Sequence, residues 1–343
     1  MATMTAACLV TSTYAWFSQN EVVWTEETDF NLDFYSGLLI SFDGVNYHQD
    51  VTKEQLYMAV TGLDDEDAAE EAFKNIKLDG VTPLHENQKI QYDNEGYARF
   101  TYDTVNEETR THEAKETLPN DVSLANNKYI RFDLYLKLAT GSVATENSPS
   151  FKLKFSQIKD DNDNVVRDTA LKSKAGVQNV TLLNKLTTQE KDYSAGETIS
   201  VDGANALRVG VGTHQGENSM IVYEPVNEHN LGSAAIEGRT DDLHNPEKNA
   251  MYTYYNNFFA EKFTKAAEDG EAFDTHENFQ DGTSLGTFAS VKNSSNIYEY
   301  QPIKLTMYIW LEGWDADYFY GITSSNELSR AMQSSFVFSY EQI

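Results

Sequence analysis

The segment YIRFDLYLKLA, residues 129 to 139, alternates apolar and polar side chains along its length. Ile130, Phe132, Leu134, Leu136 and Leu138 fall on one side, and Arg131, Asp133 and Lys137 on the other. A period of two held over eight or more residues is the signature of a strand with one buried face. IKLTMYIWLE does the same with Ile303, Leu305, Met307, Ile309 and Leu311. Shorter alternations occur in FKLKF (Phe151, Leu153, Phe155), LRVGV (Leu207, Val209, Val211), ARFTYD and the terminal FVFSY. LLISFDGVNYH carries Asp43-Gly44 between two strand-like runs, which reads as a hairpin. The expected fold is mainly β.

Two insertions read as helix, one near residues 53–77 and one near 246–269. In DDEDAAEEAFKNI acidic residues fill the first turn, and Ala69, Phe73 and Ile76 form an apolar stripe. The second insertion has Asn245 as cap and Pro246 at the first helical position. Its Met251, Tyr254, Tyr255, Phe258, Phe259 and Phe263 recur at helical spacing, a pattern of core packing. Residues 106–126, 140–150, 212–250 and 270–297 read as polar loop. No repeat of fixed period is visible. Because alternating segments run from residue 36 to 343 with the helices between them, one β-sandwich with insertions is expected rather than two domains.

Charge narrows the function classes. With 26 Lys+Arg against 54 Asp+Glu the net charge is -28, which repels phosphate backbones and anionic membranes. Nucleic acid is not an expected partner. The 20 Tyr and 18 Phe are too many for a disordered acidic chain. Cys8 is the single cysteine, so neither a disulfide framework nor a CxxC metal knuckle is expected. No uninterrupted apolar run of about 18 residues follows residue 20, so no transmembrane helix is expected in the body.

Motifs for chemistry are sparse. His85, His112 and His276 each precede a glutamate, but none has the second histidine one turn later that HExxH requires. KDDNDNVVRD spaces Asp161 and Asp163 as a calcium loop would, yet an EF-hand beginning at Asp161 would want Gly and Glu where Val166 and Lys172 stand. The reading there is an Asp/Asn-rich turn between strands, with a non-EF calcium site as its alternative. WLEGWDADYFYG sets Glu312, Asp315 and Asp317 beside Trp310 and Trp314, the residue types a glycosidase uses to protonate a leaving group and stack a sugar. The plainer reading is a strand ending in an acidic turn. No GxSxG or glycine-rich phosphate loop is present, and an enzyme is not expected.

The N-terminal stretch CLVTSTYAWFSQNEVVW divides in two. Residues 1–12 read as the remnant of a signal peptide, with Met1 an internal start in a longer leader and cleavage near Ser12. Residues 13–35 read as an N-terminal strand segment. TYAWFSQNEV at 13–22, with YIRFDLYLK, NALRVGV and IKLTMYIWLEGWDAD, resembles the TasA and camelysin-like family of secreted Gram-positive surface proteins. The likeness covers about a third of the chain. It implies a jelly-roll-like β-sandwich, export to the cell surface, and polymerisation into extracellular or biofilm-matrix fibres. It further implies that the strand holding Thr13, Tyr14, Ala15, Trp16, Phe17, Val22 and Val23 joins one subunit to the next. Camelysin's metalloprotease activity is not carried over, since no zinc motif exists here. An added strand supplies main-chain hydrogen bonds, and head-to-tail addition grows filaments. Three functions remain in view: a self-associating fibre subunit, a cell-surface carbohydrate-binding module, and a hydrolase acting near Trp314. No cofactor is expected beyond calcium.

Overall fold

A computed structural model describes residues 30–34, 37–49, 51–74, 80–83, 90–106, 111–117, 129–139, 144–160, 162–173, 178–181, 186–187, 192–201, 207–223, 275–276, 279–312 and 332–343. These residues are mainly β, with strands numbered in chain order. One sheet runs β1 (Phe30–Phe34), β22 (Met332–Gln342), β7 (Phe151–Phe155), β18 (Gly286–Phe288), and β10 (Ala170–Ser173) also pairs with β22. The larger sheet runs β17 (Thr275–His276), β16 (Ser219–Tyr223), β15 (Leu207–Thr213), β21 (Ile303–Glu312), β6 (Ile130–Leu138), β2 (Leu38–Ser41), with β3 (Gly80–Val81) alongside β21. Five two-stranded ribbons complete the strands: β4 (Thr101–Asn106) with β5 (Thr111–Thr117), β8 (Gln157–Lys159) with β9 (Val165–Asp168), β11 (Gln178–Thr181) with β14 (Thr198–Val201), β12 (Leu186–Thr187) with β13 (Asp192–Tyr193), and β19 (Ser290–Lys292) with β20 (Tyr298–Tyr300).

The alternation seen in β6 is realised residue by residue. Ile130, Phe132, Leu134, Leu136 and Leu138 are buried, and the residues between them are half-buried. In β15 Leu207, Val209 and Val211 enter the same core as Leu153, Phe155, Phe336 and Phe338 of the other sheet. Aromatic contacts carry that junction. Phe155 meets Tyr223 edge-on at 5.3 Å and Phe279 at 5.4 Å, while Tyr223 and Phe279 stack at 4.5 Å. Burying each ring contributes about 1.5–3 kcal/mol, and such aromatic pairs add about 0.5–1.5 kcal/mol.

β1 and β2 are consecutive along the chain but belong to different sheets. Gly37, directly before β2, has φ +104°, and a Cβ on it would stand 2.6 Å from the Tyr340 hydroxyl oxygen. Nothing larger than glycine fits there without moving the tyrosine.

The first helical insertion is two helices. α1 (Lys53–Thr61) starts at a capping box, with Gln55 N–H donating to Thr52 Oγ1 and Thr52 N–H to Gln55 Oε1. Gly62, left-handed at φ +69°, ends it. α2 (Glu66–Lys74) follows, and its Ala69 and Phe73 are buried as expected. Tyr57 and Phe73 join the helices at a ring separation of 4.4 Å. Ile76 and the second insertion, 246–269, lie outside the described residues.

Several expectations need correction. The spans read as polar loop contain β5, β16, β17, β18 and β19, because short strands with polar or mixed faces leave little alternation to read. Asp43-Gly44 does lie in a chain reversal, but one wider than a two-residue turn. Ile40 and His48 exchange backbone bonds at 2.9 and 2.8 Å, closing a wider loop organised by the Asp43 carboxylate. That carboxylate accepts from the Ser41 hydroxyl and from the N–H groups of Val45 and Asn46, and these bonds hold its pKa far below the usual range. Finally, β21 is buried on both faces beyond Lys304, since Thr306, Tyr308, Trp310 and Glu312 are covered as well. Ala98 and Phe100 lie over Tyr308 and Trp310. Ala98 N–H donates to the Tyr308 hydroxyl at 2.9 Å, and the Phe100 ring meets Trp310 at 5.2 Å.

Candidate functional site

The outer face of β6 and β21 carries a connected polar cluster. Pairing register places Thr306 opposite Asp133 and Lys304 opposite Tyr135, so Lys304 reaches Asp133 diagonally across the strands. Tyr97 arrives from a turn over the sheet. The Asp93 carboxylate sets that turn by accepting the N–H groups of Glu95 and Tyr97 at 2.8 and 2.9 Å. His214 arrives from the turn joining β15 to β16, next to Thr213 at the end of β15.

These groups form one chain of bonds. Asp133 Oδ2 accepts from Lys304 Nζ at 2.9 Å and from the Tyr97 hydroxyl at 2.8 Å. Asp133 Oδ1 accepts from the Thr306 hydroxyl at 2.7 Å, and Thr306 Oγ1 lies 2.8 Å from His214 Nε2. A hydroxyl has a single proton, and Thr306 gives its proton to an acceptor-only carboxylate. His214 Nε2 is therefore the donor in the remaining bond, which assigns the neutral imidazole its proton on Nε2.

Burial and charge then set the protonation states. Burial works against the charge on Lys304, but its hydrogen bonds to Asp133 and Tyr97 outweigh this and raise its pKa above the ordinary lysine value. Burial also raises the Tyr97 phenol, with the Lys304 bond pulling the other way. His214 is lowered, chiefly by burial and then by the Lys304 charge, against a smaller pull from Asp133. Arg131 stacks over the Tyr97 ring at 4.2 Å, and Lys304 lies 4.8 Å from the same ring. Both carboxylate oxygens of Asp133 are engaged and Lys304 is held charged. The member whose charge changes nearest neutral pH is His214.

The residues singled out from sequence are placed as follows. Thr13, Tyr14, Ala15, Trp16, Phe17, Val22 and Val23 lie outside the described residues, as do His85, Asp161, Trp314, Asp315 and Asp317. His112 falls on β5 and His276 on β17. Asp163 sits left-handed at φ 65° in the β8–β9 turn and pairs with Lys159 at 2.9 Å. Asp160 organises that turn, accepting from the backbone of Asn162 and Asn164 and from the Asn164 side chain. Among the described residues no group of three or more His, Cys, Asp or Glu is arranged to hold a metal ion. Glu312 is fully buried and accepts the Trp310 indole N–H at 3.1 Å. It does not face a surface cleft.

Sequence reading missed Tyr97, His214, Lys304 and Thr306. The usable signal was the polar face of β6, where Arg131 and Asp133 require partners, but only strand register supplies Lys304 and Thr306. No family model, curated protein or solved structure matches this chain. No helix among the described residues is long and apolar enough to cross a membrane.

Proposed function

We propose that this chain is a secreted structural protein, a subunit of an extracellular fibre or biofilm matrix that assembles by exchange of its N-terminal strand segment. In this reading the two main sheets face each other as a jelly-roll-like sandwich. The observation that carries it is the pairing of β1 with β22. β1 is the described part of the N-terminal segment, and it lies parallel to the C-terminal strand, from Phe30 opposite Ser334 to Phe34 opposite Phe338. The other neighbours of β22 are antiparallel. A five-residue strand added parallel at the end of a sheet keeps the same ladder whether it comes from its own chain or from a second copy. Such exchange is open-ended. The net charge of -28 opposes contact between copies at low salt, so assembly should strengthen as salt or divalent cations screen it.

Electron microscopy of the full chain and of a chain lacking residues 1–35, the whole N-terminal segment with β1, tests the reading. Filaments that disappear on truncation support it. A monomer under all salt conditions in both proteins sinks it. A second reading, a cell-surface carbohydrate-binding module, is favoured by Tyr47, Tyr97 and Tyr135, which are half-buried with Lys137 and Lys304 over their rings. Glycan binding by a permanent monomer would decide for it.

A further inference from the structure

The turn from Thr213 to Ser219 touches three separate parts of the molecule. His214 bonds to Thr306 in its own sheet. Gly96, in the turn that carries Tyr97, packs so tightly on Asn218 that a Cβ there would stand 2.6 Å from Asn218 Oδ1. Gln215 reaches the other sheet, where its carboxamide makes both bonds that a neighbouring strand would make to Thr287. Thr287 N–H donates to Gln215 Oε1 at 2.7 Å, and Gln215 Nε2 donates to the Thr287 carbonyl at 3.0 Å. Gly286 leaves the room for this, since a Cβ on it would lie 3.1 Å from Gln215 Oε1 and 2.9 Å from Ile303 Cγ2. The side chain next in sequence to His214 thus ties the outer strand β18 of one sheet to a turn of the other.

We infer that this turn is an acid-sensitive latch between the two sheets, in which protonation of His214 loosens the turn and releases Gln215 from Thr287. The groups facing His214 are the Tyr97 ring, edge-on at 6.1 Å, with Thr306 and Asp133 below it and Lys304 beside them. Glu217, on its own turn, is exposed. An imidazolium here meets the Lys304 charge in a half-buried setting, and Asp133 has both its oxygens engaged by Thr306, Tyr97 and Lys304. The strain is relieved by moving the turn outward into water. Gln215 moves with it because it is the adjacent residue. Burial and Lys304 already lower the His214 pKa, in keeping with this packing against the charged form.

Amide hydrogen exchange at Thr287 in the full chain tests the latch, corrected for intrinsic rates, between about pH 7.5 and about pH 5. The wild-type chain should lose protection at Thr287 by about tenfold across that range. In His214→Gln, whose amide donates to Thr306 but does not titrate, protection should stay level. In Gln215→Ala protection should be low at both ends. The exchange of Val209 in the sheet centre serves as the control for global unfolding and should not follow Thr287. Equal protection at both pH values in the wild-type chain overturns the inference, and so does a loss that persists undiminished in His214→Gln.

Discussion

The Thr169 hydroxyl accepts the Val337 N–H at 2.8 Å and fills a gap in the ladder of β22. β10 pairs with β22 up to Ser335 and β7 begins at Phe338, both on the edge opposite β1. Val337 lies between them, and Thr169, 1 % exposed, serves it. The single hydroxyl proton is shared between the carbonyls of Val337 and Ser156, at 3.1 and 3.2 Å. Replacing Thr169 by Val keeps the shape and strands a buried N–H, so a loss of about 1–3 kcal/mol is expected. Thr169→Ser retains the hydroxyl and should cost under about 1 kcal/mol. Urea denaturation of both variants checks the order.

Asp133 holds Lys304, Tyr97 and Thr306 at once, so Asp133→Asn should cost about 2 kcal/mol by leaving the half-buried ammonium without its counter-charge. The two partners also pull His214 in opposite directions. Lys304→Met should raise the His214 pKa toward its ordinary 6.5, while Asp133→Asn should lower it further. Because the folded value lies below the unfolded one, His214 takes up protons on unfolding as the pH drops below 6.5. Stability is therefore undiminished above that pH and falls as acid protonates the unfolded chain first. NMR titration of the imidazole in each variant reads both effects, and a shift in the same direction for both substitutions would contradict the arrangement.

Much of the fold was legible, and the illegible part has a physical cause. β6 could be read because one face lies in the core, the other is half-buried, and its side chains are long enough to mark the difference. β15 could be read from Leu207, Val209 and Val211, although its other face, with Arg208 and two glycines, is buried as well. On β21 the alternation marked the core face, but the other face is covered too, Tyr308 and Trp310 by Ala98 and Phe100, and Thr306 by its bonds to Asp133 and His214. Ala98 and Phe100 carry no local signal that they will pack against residues 210 positions further along the chain. The polar cluster was hidden for the same reason: Asp133, Lys304, Tyr97 and His214 meet through register and turns, and no spacing within one segment encodes such a meeting. Asp160 rather than Asp163 organises the β8–β9 turn, a choice made by which carboxylate faces the N–H groups of Asn162 and Asn164.

Two glycines on the outer face of β15 should differ in tolerance. A Cβ on Gly210 would meet Met220 Sδ at 2.5 Å and Trp310 Cζ3 at 3.0 Å, whereas one on Gly212 meets Tyr308 Cε2 at 3.1 Å and Thr306 Cβ at 3.4 Å. Gly210→Ala should cost about 1–3 kcal/mol, and Gly212→Ala less. Met220→Ala in the Gly210→Ala background should restore part of the loss, since the methionine end is the nearer obstacle and the indole remains. Thermal denaturation of the single and double variants measures this, and no recovery would place the obstruction wholly at Trp310.

The last strand carries a pH-dependent contact of its own. Glu341 on β22 pairs with Lys152 at 2.7 Å and with Lys154, both on β7. Hydrogen bonds first from Lys152 and then from Lys154 bring its pKa from 4.5 down to about 2. The folded value is depressed, so the contact's stabilisation is present in full above 4.5 and is lost as the pH falls through about 2. The carboxylate is open to solvent, so salt should screen the effect. A carboxyl-carbon NMR titration at low salt should find the Glu341 midpoint near the depressed value. Lys152→Met should move it up more than Lys154→Met does, and high salt should move it up in the unaltered chain. A midpoint at the ordinary value in low salt would show that the two lysines do not hold the carboxylate in solution.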